Sequence, residues 1–252
     1  MKRVKAQFMP LARTKKPSKV TNPKREHGTS VLTALNQVRE LIVHGKLSPG
    51  TWIVEEELAK RLHLSRTPTR AALQWLQQEG YVREQRTATK SRMIVSPLTK
   101  EDANELYPFI GRIEGLAGRI TAALPKAKRM VIVQQLKAVN QQLAEVKSDP
   151  SKQGGIFDLD RGFHHLVVDS GAGPRLRAWH NTIEPQVERY WRLYASSIMS
   201  NLQSSINEHN DIIRALTDGN ADSMERALQV NWENGCSRLG TVIDMFGERG
   251  SW

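Results

Sequence analysis

A single cysteine, Cys236, stands in the 252 residues, so no disulfide can form within the chain, and the sequence fits a reducing compartment. No apolar run approaches the roughly 18 residues that would span a bilayer. The N-terminus is basic but has no apolar stretch behind it, which excludes a secretory signal. These absences point to a soluble cytoplasmic protein with no membrane partner. No HExxH, no Gly-rich phosphate loop and no nucleophile motif is present. Acidic residues are scarce where positive charge is densest. Residues 1–28 carry nine Lys/Arg against one acid, 29–97 ten against six, and 98–252 eighteen against nineteen, within a formal total of +11. The excess is an N-terminal property, as expected when one part of a chain meets a polyanion and the rest does not.

What is there begins with a tail. Residues 1–28 lack periodicity, contain Pro10, Pro17 and Pro23, and read as a disordered basic segment that adds sequence-blind phosphate contacts. From Ser30 to His44, Val31, Leu32, Leu35, Val38, Leu41 and Ile42 recur at helical spacing, and "GKLSPG" ends the run. A short helix from Glu55 to Leu62 turns inward Leu58, Ala59 and Leu62. A tight turn at His63 and Leu64 leads into a helix from Ser65 to Glu79, stopped by Gly80. "YVREQ" and "SRMIVS" around "RTATK" predict a β-hairpin without the usual glycine turn. Three helices and a hairpin over residues 29–97 make a winged helix-turn-helix. After Pro97 the pattern is helical throughout, with helices predicted at 99–124, 127–147, 157–170, 174–197 and 221–246. The fourth is expected to bend at Pro185, and a capping box of Ser205 and Glu208 opens the helix before the last. Residues 98–248 then form an antiparallel helical bundle, and the fold class is mainly α.

The stretch "LSRTPTRAAL" carries the chemistry of the first domain. On a helix, Pro68, Ala72, Trp75, Leu76 and Glu79 fall on one side, and Arg66, Thr69, Arg70 and Leu73 on another, with Thr67 near the entrance. Arginines at a helix N-terminus oppose the macrodipole, a local cost with no local benefit, so a partner outside the helix is expected to receive them. In a helix-turn-helix those N-terminal residues meet base edges in the major groove. Arg suits guanine O6 and N7, and a Thr methyl suits thymine. Ser65, Arg66, Thr67, Thr69 and Arg70 are therefore the predicted readers of double-stranded DNA, with Arg86, Lys90 and Arg92 of the wing on phosphate or in the minor groove.

These residues resemble the DNA-binding domain of GntR regulators, whose hallmark Ser-Arg-Thr-Pro-x-Arg-x-Ala-Leu run stands complete as Ser65, Arg66, Thr67, Pro68, Arg70, Ala72 and Leu73. The wing departs from the family in lacking a tip glycine. The helical half resembles the effector domain of the FCD branch, and the two likenesses cover about residues 30–246. The resemblance implies a homodimeric repressor that binds a short inverted repeat and releases it when an organic-acid effector enters the bundle. It also implies a divalent metal held by one Asp and three His.

On chemistry alone, "DLDRGFHHL" puts Asp160 and His164 on one helix face, and "NEHNDII" supplies His209. A carboxylate with imidazoles suits Zn²⁺, Ni²⁺ or Mn²⁺. Against the family pattern, the fourth ligand position holds Asn231, whose amide is a weak neutral ligand or hydrogen-bonds an effector directly. Ile110 stands where many relatives carry an effector-pairing arginine, so a less acidic or more aromatic ligand is expected. Arg189 and Arg192 are the other candidate effector contacts. Two other functions compete with this reading: a metal-dependent hydrolase built on Asp160, His164 and His209, and a sequence-neutral chromosome-binding protein driven by the tail.

Overall fold

The computed structural model describes residues 23–86, 90–147, 155–198 and 202–251. Nine helices and one two-stranded sheet are found among those residues. The N-terminal domain comprises α1 (Pro23–Val43), α2 (Glu55–Arg61), α3 (Arg66–Gln78), β1 (Val82–Arg86) and β2 (Ser91–Val95). α1 starts seven residues before the predicted Ser30, taking in the end of the expected disordered tail. Pro23 suits the first position of a helix, where its missing N–H would have had no partner. The rest of that tail lies outside the described residues.

The wing strands pair antiparallel from Val82↔Val95 to Arg86↔Ser91, where the two β-prone runs predicted a hairpin. The hairpin tip, 87–89, is outside the described residues. A third extended segment runs along β2: Val95 N donates to Thr51 O at 2.9 Å and Ile53 N to Met93 O at 2.8 Å. The β-prone run "TWIV" was the available signal for it. Leu35, Val38, Ile42, Leu58, Leu73, Leu76, Tyr81 and Val95 close the core of this domain. Such burial of apolar stripes, worth about 25 cal/mol per Å², fixes the angle at which α3 leaves the turn.

The C-terminal domain holds α4 (Lys100–Ala122), α5 (Lys126–Lys147), α6 (Ile156–Gly171), α7 (Pro174–Ile198), α8 (Leu202–Asp218) and α9 (Ala221–Phe246). Thr99 caps α4 by accepting from Asp102 N at 3.1 Å, as its position before the periodic run predicted. α8 is already helical at Leu202, so Ser205 and Glu208 form no capping box; both instead take the Arg238 guanidinium of α9. α4 and α9 pack closely along their length because α4 offers glycines to its neighbour. A Cβ on Gly111 would stand 3.0 Å from Trp232 Cβ, and one on Gly118 only 2.2 Å from Leu228 Cδ1. That approach sets the partly buried Trp232 against α4.

The two domains are fastened by the segment after α9 as well as by the chain between them. Leu98 and Arg249 exchange backbone hydrogen bonds of 2.9 and 3.1 Å, and Gly250 lies against Gly50 of the first domain.

Candidate functional site

Two surfaces carry chemistry. On α3 the buried stripe is Pro68, Thr69, Ala72, Leu73 and Leu76, and this fixes what faces water. Arg66, Thr67, Arg70 and Gln74 are exposed and, with Ala71, line a shallow depression. Ser65 sits at the N-cap in extended conformation but its side chain makes no capping bond. Thr69 is a correction. It is fully buried, and its hydroxyl donates to Ser65 O at 3.0 Å, so it has neither exposure nor a free donor for a base. Trp75 was expected inward and is 54% exposed, because the stripe is centred one position away from the predicted one. Gln74 was missed, although it lies one helical turn beyond Arg70 on the same face.

The arginines are not without local partners. Arg66 Nη2 lies 2.5 Å from Glu56 Oε2, and Arg70 Nη2 lies 2.8 Å from Glu55 Oε2. The two acids open α2, where they also complement the macrodipole. On the wing, Arg86, Lys90 and Arg92 are exposed, with the Arg92 guanidinium 5.3 Å from the Trp52 ring centre.

The second surface is a cavity among α4, α6, α7 and α9, enclosing about 730 Å³ of empty space with its mouth included. Tyr107, Phe157, Trp191 and Trp232 supply aromatic walls, and Asp160, His164, Glu184 and Asn231 are among the polar groups. At its base Glu114 of α4 is fully buried and accepts from three donors: His164 Nδ1 at 2.6 Å, His180 Nε2 at 2.9 Å and Trp232 Nε1 at 2.8 Å. Burial alone would raise the Glu114 carboxyl, but the His164 charge and the hydrogen bonds from His164 and His180 outweigh it and hold it well below the carboxylate range. Burial likewise opposes charge on His164, yet Glu114 and Asp160 lift its pKa to about 9.

His209 is fully buried and stacks on Phe163 with ring centres 3.8 Å apart. Its tautomer follows from Asn140. The Asn140 amide nitrogen donates to Ile206 O and Asn210 Oδ1, so its oxygen must accept from His209 Nδ1 at 3.1 Å. His209 Nε2 is left with a lone pair, buried and with no hydrogen-bond partner among the described residues, 3.6 Å from Asp160 Oδ1. Burial, then the charge on His164, lowers its pKa. Asp160, His164 and His209 each bring one donor atom within 4.8 Å of the others. The ring orientations fit a metal: Glu114 and Asn140 engage the Nδ1 atoms of His164 and His209 and so hold both rings in place. Asn231, which lines the same cavity, donates from Nδ2 to Glu208 Oε2 at 2.9 Å.

Three predicted effector contacts do not line the cavity. Ile110 is wholly buried in the core cluster with Tyr107, Val187, Tyr190 and Leu239. Arg189 points to the other domain, donating to Ser96 O at 2.6 Å and lying 6.0 Å from the Tyr81 ring centre. Arg192 holds Glu188 and covers the Phe157 ring from outside. Glu114 and His180 were missed. Glu114 in "RIEGL" was an acid on an otherwise apolar face, a signal that could have found it.

Comparison with known proteins agrees with both halves. Residues 32–90 match the model of bacterial regulatory proteins of the gntR family, and residues 105–234 that of the FCD domain. The chain belongs to the GntR family, with an FCD domain. Among relatives of this GntR regulator, a probable D-xylose utilization operon transcriptional repressor of Paenarthrobacter nicotinovorans is 30% identical over 202 residues, covering 78% of this chain and 84% of its own. The HTH-type transcriptional repressor RspR of Escherichia coli K12 is 28% identical, covering 76% and 80%. Two solved structures share the fold: E. coli McbR/YncC (TM-score 0.61, 16% identity, 86% and 99% covered) and a putative GntR regulator of Rhodococcus sp. RHA1 (0.62, 18%, 84% and 97%). The family and these relatives are DNA-binding transcription regulators rather than enzymes, and neither the hydrolase nor the sequence-neutral reading gains support from them. No described helix of this GntR regulator is long and apolar enough to cross a membrane.

Proposed function

We propose that this GntR regulator is a cytoplasmic repressor that binds an inverted-repeat operator as a homodimer and releases it when an aromatic or weakly acidic metabolite enters the FCD cavity. The observation that carries the reading is the placement of α7. One face of α7 lines the cavity with Glu184, Val187, Glu188 and Trp191. The other holds the DNA-binding domain: Gln186 Nε2 donates to Glu79 O, the last turn of the reading helix, at 2.7 Å, and Arg189 to Ser96 O, at the root of the wing. Two relatives are named repressors.

Each DNA half-site is read by Arg66, Thr67, Arg70 and Gln74, with Ser65 and the wing arginines on the backbone. Asp160, His164 and His209 would hold a divalent Zn²⁺, Ni²⁺ or Mn²⁺, with Asn231 lining the same cavity. When bound, the metal supplies a Lewis-acid anchor for an oxygen of the ligand. The arginines around the cavity are already matched by carboxylates, Arg161 by Glu184 and Arg238 by Glu208, which favours a less acidic ligand. Support for a second copy comes from Phe109, Leu116 and Ile120 of α4 and Trp179 of α7, exposed by 41–56% on two helices that pack together.

Binding-site selection from a random duplex library at two salt concentrations tests the reading. An inverted repeat should be enriched, and lost in Arg66→Ala or Arg70→Ala. Calorimetry with zinc, then with aromatic acids and small dicarboxylates, should show zinc binding weakened in His209→Ala and a preference for the aromatic acids. No enriched motif, with affinity collapsing as salt rises, sinks the operator reading; exclusive binding of a dicarboxylate sinks the aromatic one.

A further inference from the structure

We propose that Glu55, the first residue of α2, is a positioning residue that fixes the Arg70 guanidinium for base readout and so sets sequence discrimination. The proposal rests on the reading that Arg70 meets a base. Arg70 Nε and Nη2 lie 2.9 and 2.8 Å from the same oxygen, Glu55 Oε2. Those two nitrogens form the side edge of the guanidinium plane. The end-on fork, Nη1 with the outer N–H of Nη2, has no partner among the described residues. Arg70 is 63% exposed, so that fork is open to solvent.

A guanine edge accepts two parallel N–H bonds through O6 and N7, which the end-on fork matches. With its side edge held, the plane cannot turn freely about its last bonds, and the fork keeps one orientation. Glu55 also places a negative charge where a phosphate would otherwise be drawn to the arginine. Arg66 is held differently. Its Nη2 meets Glu56, which is shared with Lys60 at 3.2 Å.

Selection from a random duplex library with the full chain, followed by titration on single-position variants of the enriched site, decides the matter. The variants are Arg70→Ala, Glu55→Ala and Glu55→Gln, each checked for an unchanged melting temperature. Arg70→Ala identifies the position that Arg70 reads. Glu55→Ala should lose about tenfold in preference at that position alone while random duplexes are bound as well as or better than before. Glu55→Gln, which keeps an acceptor oxygen at the same reach, should restore part of the preference. If Glu55→Ala keeps the preference at that position, or tightens binding to every duplex alike, Glu55 is only a surface charge and the proposal falls. If Arg70→Ala relaxes no position, the reading of Arg70 itself falls, and the proposal with it.

Discussion

A carboxylate at the foot of a cavity, answered by two histidines and an indole, is costly to bury and harder still to leave half-answered. Glu114 has three donors in reach, and its isostere Gln offers one acceptor oxygen and a competing amide. Glu114→Gln is expected to lower stability by about 3 kcal/mol, because it leaves buried donors and the His164 charge without their partner. Thermal melting measures this; a loss under about 1 kcal/mol would show that His164 is neutral in the folded protein. The same change should weaken zinc binding by about tenfold or more, since the ring of His164 is then no longer held. Thr69 teaches a related lesson at this scale. The motif marks it as one of a cluster of polar residues, but its methyl completes the apolar stripe and its hydroxyl turns back on Ser65. A threonine satisfies either role, and sequence alone does not distinguish them.

Helices were legible because each carries its own amphipathic stripe. The limits predicted for the last helix, Ala221 to Phe246, match α9, and the wing strands stand where the two β-prone runs predicted them. What a stripe packs against is not local. The match of Gln186 with Glu79, 107 positions apart, leaves no periodic trace, and neither does the pairing of Glu55 with Arg70. Arg189 and Arg192 were both assigned to the cavity from position on α7, whereas rotation along that helix sends the first to the other domain and the second to the rim. The cavity residues Asp160, His164 and His209 were legible because side-chain type and i,i+4 spacing suffice for a donor set. At the level of α7, the expected consequence is coupling. Arg189→Met keeps the bulk of a buried side chain but removes its bond to Ser96 O. Ligand affinity should be unchanged, while the ligand's effect on operator affinity, at least about fivefold in the natural chain, should largely vanish. Operator titrations with and without the ligand check this, and an undiminished effect would assign the coupling to another contact.

For the molecule as a whole, charge and function are segregated: the cationic excess belongs to the DNA-facing half, and the helical half is nearly neutral. Dimerisation would supply the second reading helix. Leu116→Glu with Ile120→Glu puts two charges on the exposed α4 face and is expected to yield a folded monomer by sedimentation, with operator affinity reduced by about tenfold or more. A dimer that persists would move the interface elsewhere. Gly50 and Gly250 both adopt positive φ, +78° and +79°, and a Cβ on Gly250 would stand 2.4 Å from Gly50 N. With the Leu98–Arg249 bonds, this crossing gives the DNA-binding domain a second point of attachment. A body pinned at two points keeps one soft motion, a rocking about the line that joins them. Methyl groups at either glycine would act as a wedge, resetting the rest angle of that hinge.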